Sequence, residues 1–217
     1  MELIIGNKNY SSWSMRAWVM LYENGIAFDE NEQQLFSEAF YSEISQYSGA
    51  GKVPVLVDED IAVWDSLSIC EYISERHLDG KGWPTDVGQR AIARSISSEM
   101  HSGFNALRNE CPMNCRAKRK VVLSDDAKTD IARIDEIWSK QMRTYQAEDD
   151  WLFGEFSIAD AMYIPVVMRF ITYGIALSPR SKKYMERVMR SESVVAWLDS
   201  ALKDESVIPE DEAGEAV

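Results

Sequence analysis

The spacing of apolar residues changes once along this chain, near residue 80, and that change limits the fold more than any other feature. Before it, strand-like and helix-like segments alternate. Leu3–Gly6 reads as a short buried strand. Ser11, Ser12, Trp13 and Ser14 then supply N-cap residues for a helix with apolar positions Met15, Trp18, Val19 and Tyr22. Asn24-Gly25 ends that helix, because glycine tolerates the left-handed position beyond a helix C-terminus. Ile26–Leu35 offers a weaker strand, and Phe36–Tyr47 a short helix. Val53–Val57 and Ile61–Trp64 flank the turn residues Asp58, Glu59 and Asp60. A helix follows over Ser66–Arg76, with Leu67, Cys70 and Ile73 on its apolar side. The order βαβαββα describes an α/β unit.

Beyond residue 85 the pattern is helical throughout. Helices are predicted at Asp86–Asn109, Asp125–Tyr145, Ser157–Tyr173, Ser181–Met189 and Ser193–Leu202, with Pro165 expected to kink the third. Leu78-Asp79-Gly80-Lys81-Gly82-Trp83-Pro84 has the composition of a linker. The expected organisation is therefore an α/β domain over 1–78, a linker over 79–85 and an all-helical domain over 86–217. From Asp204 the chain is acidic and short of large apolar residues, so a frayed tail is expected.

Charge and cysteine content narrow the function. The formal net charge is −13, and residues 1–78 hold 13 acidic against 4 basic side chains. Nucleic acids and anionic membranes both require basic patches, so neither is an expected partner. An anionic ligand of the first domain would depend on local donors such as Lys52, Arg16 and helix N-termini. Cys70, Cys111 and Cys115 form no disulfide framework, and Met1–Gly6 enters a strand with no basic leader or long apolar stretch. A cytoplasmic location is the expectation.

Three places carry residues suited to binding or chemistry. Pro54 cannot donate to a strand ladder, so Val53-Pro54 marks an edge or turn in the trans form. In the cis form it would present the Val53 backbone to an extended ligand. Asp65-Ser66 opens a helix, either as a plain cap or as a site where Ser66 holds a carboxylate and Asp65 an ammonium group. Ser11–Ser14 opens another, where a hydroxyl either caps or donates to a thiolate. Stabilising a thiolate by two pKa units requires roughly 2.7 kcal/mol. One charge-assisted hydrogen bond contributes ~1.5–3 kcal/mol, so one serine with the helix dipole could suffice.

In this order, a strand, a hydroxyl-bearing turn into a helix, a Val-Pro strand start, a hairpin and an Asp-Ser helix start resemble the N-terminal domain of cytosolic-type glutathione S-transferases. Phe156-Ser157-Ile158-Ala159-Asp160 is similar to the N-capping box of their helical domain. The resemblance covers almost the whole chain and implies a thioredoxin-like domain followed by a helical one. It also implies a homodimer, with glutathione as cosubstrate, a small electrophile as second substrate and no metal. Carried over by position, Ser11 corresponds to the activating serine, since it precedes Arg16 by five residues, as in zeta-like and tau-like members. Ser12 corresponds to the theta-like position, and Tyr10 is a third candidate. Val53 and a cis-Pro54 would take the cysteinyl backbone of glutathione, Asp65 and Ser66 its γ-glutamyl end, and Lys52 its glycyl carboxylate. Trp13, His101 and Phe104 are the residues expected in the electrophile pocket, or else in packing between helices.

Two departures matter. Where zeta-like members carry a cysteine after paired serines this chain has Trp13, and where they carry glutamine it has Asp65. Both weigh against a maleylacetoacetate-type cis–trans isomerase, the second reading; a transferase-like binding protein without activity is the third. The stretch Ser11–Ser14 also lacks the Cys-x-x-Cys of redox relatives. His77 and His101 have no metal-ligand company in the sequence, and no Gly-x-Ser-x-Gly elbow or glycine-rich phosphate loop occurs.

Overall fold

The computed structural model describes residues 1–145 and 151–217. The alternating first segment folds as a four-stranded sheet of β1 (Glu2–Gly6), β2 (Asp29–Gln33), β3 (Val55–Asp58) and β4 (Ile61–Trp64), in the order β2-β1-β3-β4. β1 and β2 are parallel, with Glu2 opposite Asp29 and Gly6 opposite Gln33. The crossover between them is α1 (Ser12–Glu23), because parallel neighbours cannot be joined by a tight turn. β3 runs antiparallel to β1, and β4 antiparallel to β3. Two further helices complete this part, α2 (Glu38–Tyr47) and α3 (Ser66–His77).

Burial follows from composition. Leu3, Ile4 and Ile5 on the inner strand β1 are fully buried, as expected where both faces of a sheet are covered. β2, with the sequence Asp-Glu-Asn-Glu-Gln, has no apolar residue and forms the edge. Charges on an edge discourage pairing with other chains. The strand expected over Ile26–Leu35 thus contracts to its polar middle. Asn24 is the C-cap of α1, and Gly25 follows with φ 63°.

The helical part comprises α4 (Val87–Ser102), α5 (Asn105–Glu110), α6 (Asp125–Thr144), α7 (Ile158–Thr172), α8 (Pro179–Met189) and α9 (Glu192–Ala201). α7 is its spine, buried at every position except Ile171 and packed against both α1 and α4. The capping box at its start is present: Asp160 accepts from the Ser157 backbone N–H and hydroxyl, and also from Leu152 N–H and the Tyr184 hydroxyl. Pro165 lies inside α7 as predicted.

Two expectations are corrected. The single helix over Asp86–Asn109 is two helices, because Phe104 adopts φ 56° and redirects the chain. A β-carbon at Gly103 would fall 2.8 Å from the Glu99 carbonyl oxygen, so the break needs a glycine. The helical domain also carries one short ribbon, in which β5 (Arg119–Lys120) pairs with β6 (Glu215–Ala216). The acidic tail is docked rather than frayed. Ile208 is buried, Pro209–Asp211 form a 3₁₀ turn, and the Val217 N–H donates to Lys118 O at 3.1 Å. Polar bonds to distant residues hold this tail, where the composition suggested only the want of a core.

Candidate functional site

The start of α1 is pinned to the end of β1. Gly6 N–H donates to Ser14 Oγ at 3.1 Å, and the Ser11 hydroxyl donates to the same oxygen at 2.7 Å. Ser11 is the N-cap of α1, accepting from Ser14 N–H at 3.4 Å. Ser12 differs. Its Oγ accepts from Arg169 Nη2 at 3.1 Å, which leaves its hydroxyl hydrogen for a ligand. The Tyr10 hydroxyl is taken up by the tail: it donates to Glu212 Oε1 at 2.6 Å and accepts from Arg116 Nη2 at 2.9 Å.

Val53-Pro54 is a cis peptide, placed immediately before β3 and just beyond its pairing with β1. Across the groove, Asp65 has φ 76°, a conformation that few residues other than glycine adopt. Its Oδ1 caps α3 by accepting from Leu67 and Ser68 N–H at 3.0 and 3.1 Å. Its Oδ2 lies 3.0 Å from His101 Nε2. Ser66 is buried, and its hydroxyl oxygen accepts from Arg16 Nη1 at 3.4 Å.

These elements enclose two adjoining cavities. The smaller, about 350 Å³, is lined by Lys52, Val53, Pro54, Trp64, Asp65 and Ser66, with Trp13 as a wall. The larger, about 520 Å³, is bounded by Ser11, Ser12, Met113, Arg108 and Arg169. Trp13, Lys52 and Val53 line both. Eight of the ten residues expected at the site therefore line one cavity or the other: Ser11, Ser12, Trp13, Lys52, Val53, Pro54, Asp65 and Ser66; Tyr10, the third candidate hydroxyl, lines the larger.

The residues expected around the electrophile divide. Trp13 stands between the cavities. The His101 ring meets Trp13 edge-on, with centroids 5.3 Å apart, but His101 lines neither cavity. Phe104, which has φ 56°, is buried in the core and lines neither cavity.

The sequence names Arg16 as an anion donor but gives no place at the site to Arg108 or Arg169. The guanidinium carbons of Arg16 and Arg108 lie 4.4 and 4.7 Å from the centre of the Trp13 ring. Arg169 Nη1 donates to Cys111 O at 2.5 Å and to Arg108 O at 3.3 Å. Burial first, and then repulsion from neighbouring guanidiniums, lower the pKa of Arg16 to about 9 and that of Arg169 to about 10. A signal was available: Arg169 sits in an otherwise apolar run, Val166-Val167-Met168-Arg169-Phe170, where an unneeded charge would be costly.

The thiols have the opposite character. Burial pushes Cys70 and Cys115 up to about 12 and Cys111 to about 11, so all three stay protonated and poorly nucleophilic. Among the described residues no group of three or more His, Cys, Asp or Glu is placed to hold a metal ion, and no helix is long and apolar enough to cross a membrane.

Comparison with known proteins agrees with this layout. Residues 10–76 match the sequence model of the glutathione S-transferase N-terminal domain. The chain is 26% identical over 170 residues to a probable maleylacetoacetate isomerase of Caenorhabditis elegans, covering 78% of this chain and 79% of that protein. It is 25% identical over 211 residues to glutathione S-transferase 1 of Dianthus caryophyllus, covering 88% and 92%. In fold it is similar to a glutathione transferase homolog from Burkholderia GL BGR1 with bound glutathione. That likeness has a TM-score of 0.65 at 23% identity and covers 92% of this chain and 97% of that one.

Proposed function

We propose that this chain, which belongs to the glutathione S-transferase family, is an enzyme that binds glutathione in the smaller cavity and joins its sulfur to an electrophile in the larger one. The observation that carries this reading is the pair of cavities meeting at Trp13, Lys52 and Val53. A tripeptide laid along Val53 would have its γ-glutamyl end at Asp65 and Ser66 and its thiol at the start of α1. Lys52 is exposed at the rim, where it would meet the glycyl carboxylate. Asp65 has one oxygen engaged in capping α3, so the ammonium group would share Oδ2 with His101.

The chain would stabilise the thiolate without forming a covalent enzyme intermediate. A hydroxyl at the N-terminus of α1 would donate to the sulfur, aided by the positive end of the helix dipole. Ser12 has its hydrogen available, whereas Ser11 donates to Ser14 in this structure. The high pKa of all three cysteines supports serine chemistry over thiol chemistry. A homodimer in the cytoplasm completes the reading, supported by the family and by three free cysteines.

The test is an ultraviolet difference spectrum of bound glutathione across neutral pH. A thiolate band in the wild type that moves to higher pH in Ser11→Ala/Ser12→Ala is the expected result. Binding without a thiolate band would remove the transferase reading and favour a binding protein without activity. The likeness to a probable maleylacetoacetate isomerase favours one alternative, in which the thiolate adds to the substrate and leaves again. That reaction regenerates glutathione and accumulates no conjugate, so product analysis separates the two.

A further inference from the structure

Three guanidiniums, those of Arg16, Arg108 and Arg169, gather around Trp13 and Ser12, and no ion pair is made by any of them among the described residues. This is unexpected in a chain with 36 acidic and 23 basic side chains. Elsewhere the same chain pairs its arginines: Arg133 bridges Glu99 and Glu136, and Arg119 meets Glu212. Two carboxylates near the cluster, Asp65 and Asp130, are engaged elsewhere. Asp65 caps α3 and meets His101, and Asp130 accepts from Leu107 N–H. Asp211 borders the larger cavity but forms no ion pair with Arg169.

We propose that Arg108 and Arg169 hold a carboxylate of the molecule that enters the larger cavity, so that the second substrate is a carboxylate-bearing electrophile. This rests on reading that cavity as the electrophile's. Both arginines line it, together with Ser11, Ser12 and Trp13. Phe36, Phe40, Pro112 and Met113 supply an apolar wall, which suits a ligand with an apolar body and one anionic end. The guanidiniums are held in place by protein bonds: Arg108 Nη2 to the Met100 and His101 carbonyls, and Arg169 to Cys111, Arg108 and Ser12. Arg108 Nε is buried with no partner. Burial depresses the pKa values of all three, and neighbouring guanidiniums add to this at Arg16 and Arg169, a cost that an entering anion would offset. Arg16 lies behind Trp13, bonded to Ser66, and adds to the positive potential without lining the larger cavity.

The test compares 4-chloro-3-nitrobenzoate with its methyl ester as substrates of the full chain in the presence of glutathione. In either, the glutathione sulfur bonds to the ring carbon as the carbon–chlorine bond breaks, chloride leaves with the bonding pair, and the thiol proton passes to water. After correction for uncatalysed rates, the acid is expected to exceed the ester in kcat/KM by about tenfold or more, the scale of one charge-assisted contact. In Arg108→Gln that ratio should fall toward one. Should the variant fail to fold, inhibition of the wild type serves instead: 3-nitrobenzoate should compete with the ester, and the neutral 3-nitrobenzamide should not. Equal turnover of acid and ester, with no inhibition by 3-nitrobenzoate, would overturn the proposal and leave the transferase reading standing. Displacement of 3-nitrobenzoate by glutathione in calorimetry would also overturn it, assigning the arginines to glutathione's own carboxylates. If neither electrophile reacts but 3-nitrobenzoate binds, and Arg108→Gln abolishes that binding, the anion site stands and the transferase reading falls.

Discussion

His101 Nε2 lies 3.0 Å from Asp65 Oδ2, so the last turn of α4 is joined to the N-cap of α3 through one imidazole and one carboxylate. The imidazole does not behave as an ordinary partner of an acid. Burial lowers its pKa from 6.5; Asp65 opposes that, but Arg16 and Arg108 lower it further. With a lowered folded value, the neutral ring contributes stability above the unfolded pKa, and this is lost as pH falls through the folded one. In a nuclear magnetic resonance titration of the ring protons, the His101 midpoint should lie below 6.5 and rise in Arg108→Gln. A wild-type midpoint at or above 6.5 would contradict the assignment of the cause.

The three thiols should be inert in the native protein. Cys70 donates to Arg16 O and Cys115 to Lys8 O, and all three have pKa values raised by burial. A disulfide reagent at neutral pH should label none of them quickly, and all three once the chain is unfolded. Glutathione binding should survive brief treatment with iodoacetamide. Rapid loss of binding on alkylation would point to a cysteine at the site.

Asp160 is fully buried and accepts four hydrogen bonds, from Leu152, Ser157 (twice) and Tyr184. Asp160→Ala leaves those donors without an acceptor in a dry interior, and the cost should be on the order of 3–4 kcal/mol. Urea denaturation reads it directly. A loss under ~1 kcal/mol would mean that water or a neighbour takes the acceptor's place.

Much of the fold could be read from residues close together in sequence, and the tail shows why the rest could not. β1 is an unbroken apolar run, Ser157 and Asp160 are three residues apart, and Asn24-Gly25 is a local stop. Such signals are complete within a few positions. Glu212, in contrast, accepts from the Tyr10 hydroxyl 202 residues away and from Asn114 Nδ2, and it meets Arg116 and Arg119. Nothing in the composition of the last fourteen residues announces these partners. At the site, the serines and the Val-Pro and Asp-Ser pairs were visible as local motifs. Arg108 was not, because its place depends on the break at Gly103 and Phe104 that turns α5 back on α4.

The docked tail can itself be tested. Glu212→Ala removes the acceptor of the Tyr10 and Asn114 bonds together with two ion-pair contacts, all partly shielded from water. The expected loss is about 1–3 kcal/mol, with faster proteolysis near residue 204 than in the wild type. Unchanged proteolysis would show that Ile208 and the β5–β6 pairing hold the tail without Glu212.

The two candidate serines make opposite demands on the same experiment. Ser11 caps α1 and gives its hydrogen to Ser14, so activating a thiolate would require that bond to break. Ser12 accepts from Arg169, which polarises its hydroxyl and leaves the hydrogen free. Ser12→Ala alone should therefore raise the pKa of bound glutathione, by about one to two units if one charge-assisted bond is lost. Ser11→Ala should act mainly through the cap and cost about 1 kcal/mol of stability with a smaller change in the thiol. Thermal melts and thiolate difference spectra on both variants separate these effects. A thiol shift confined to Ser11→Ala would return the role to Ser11 and make Ser12 a tether for Arg169.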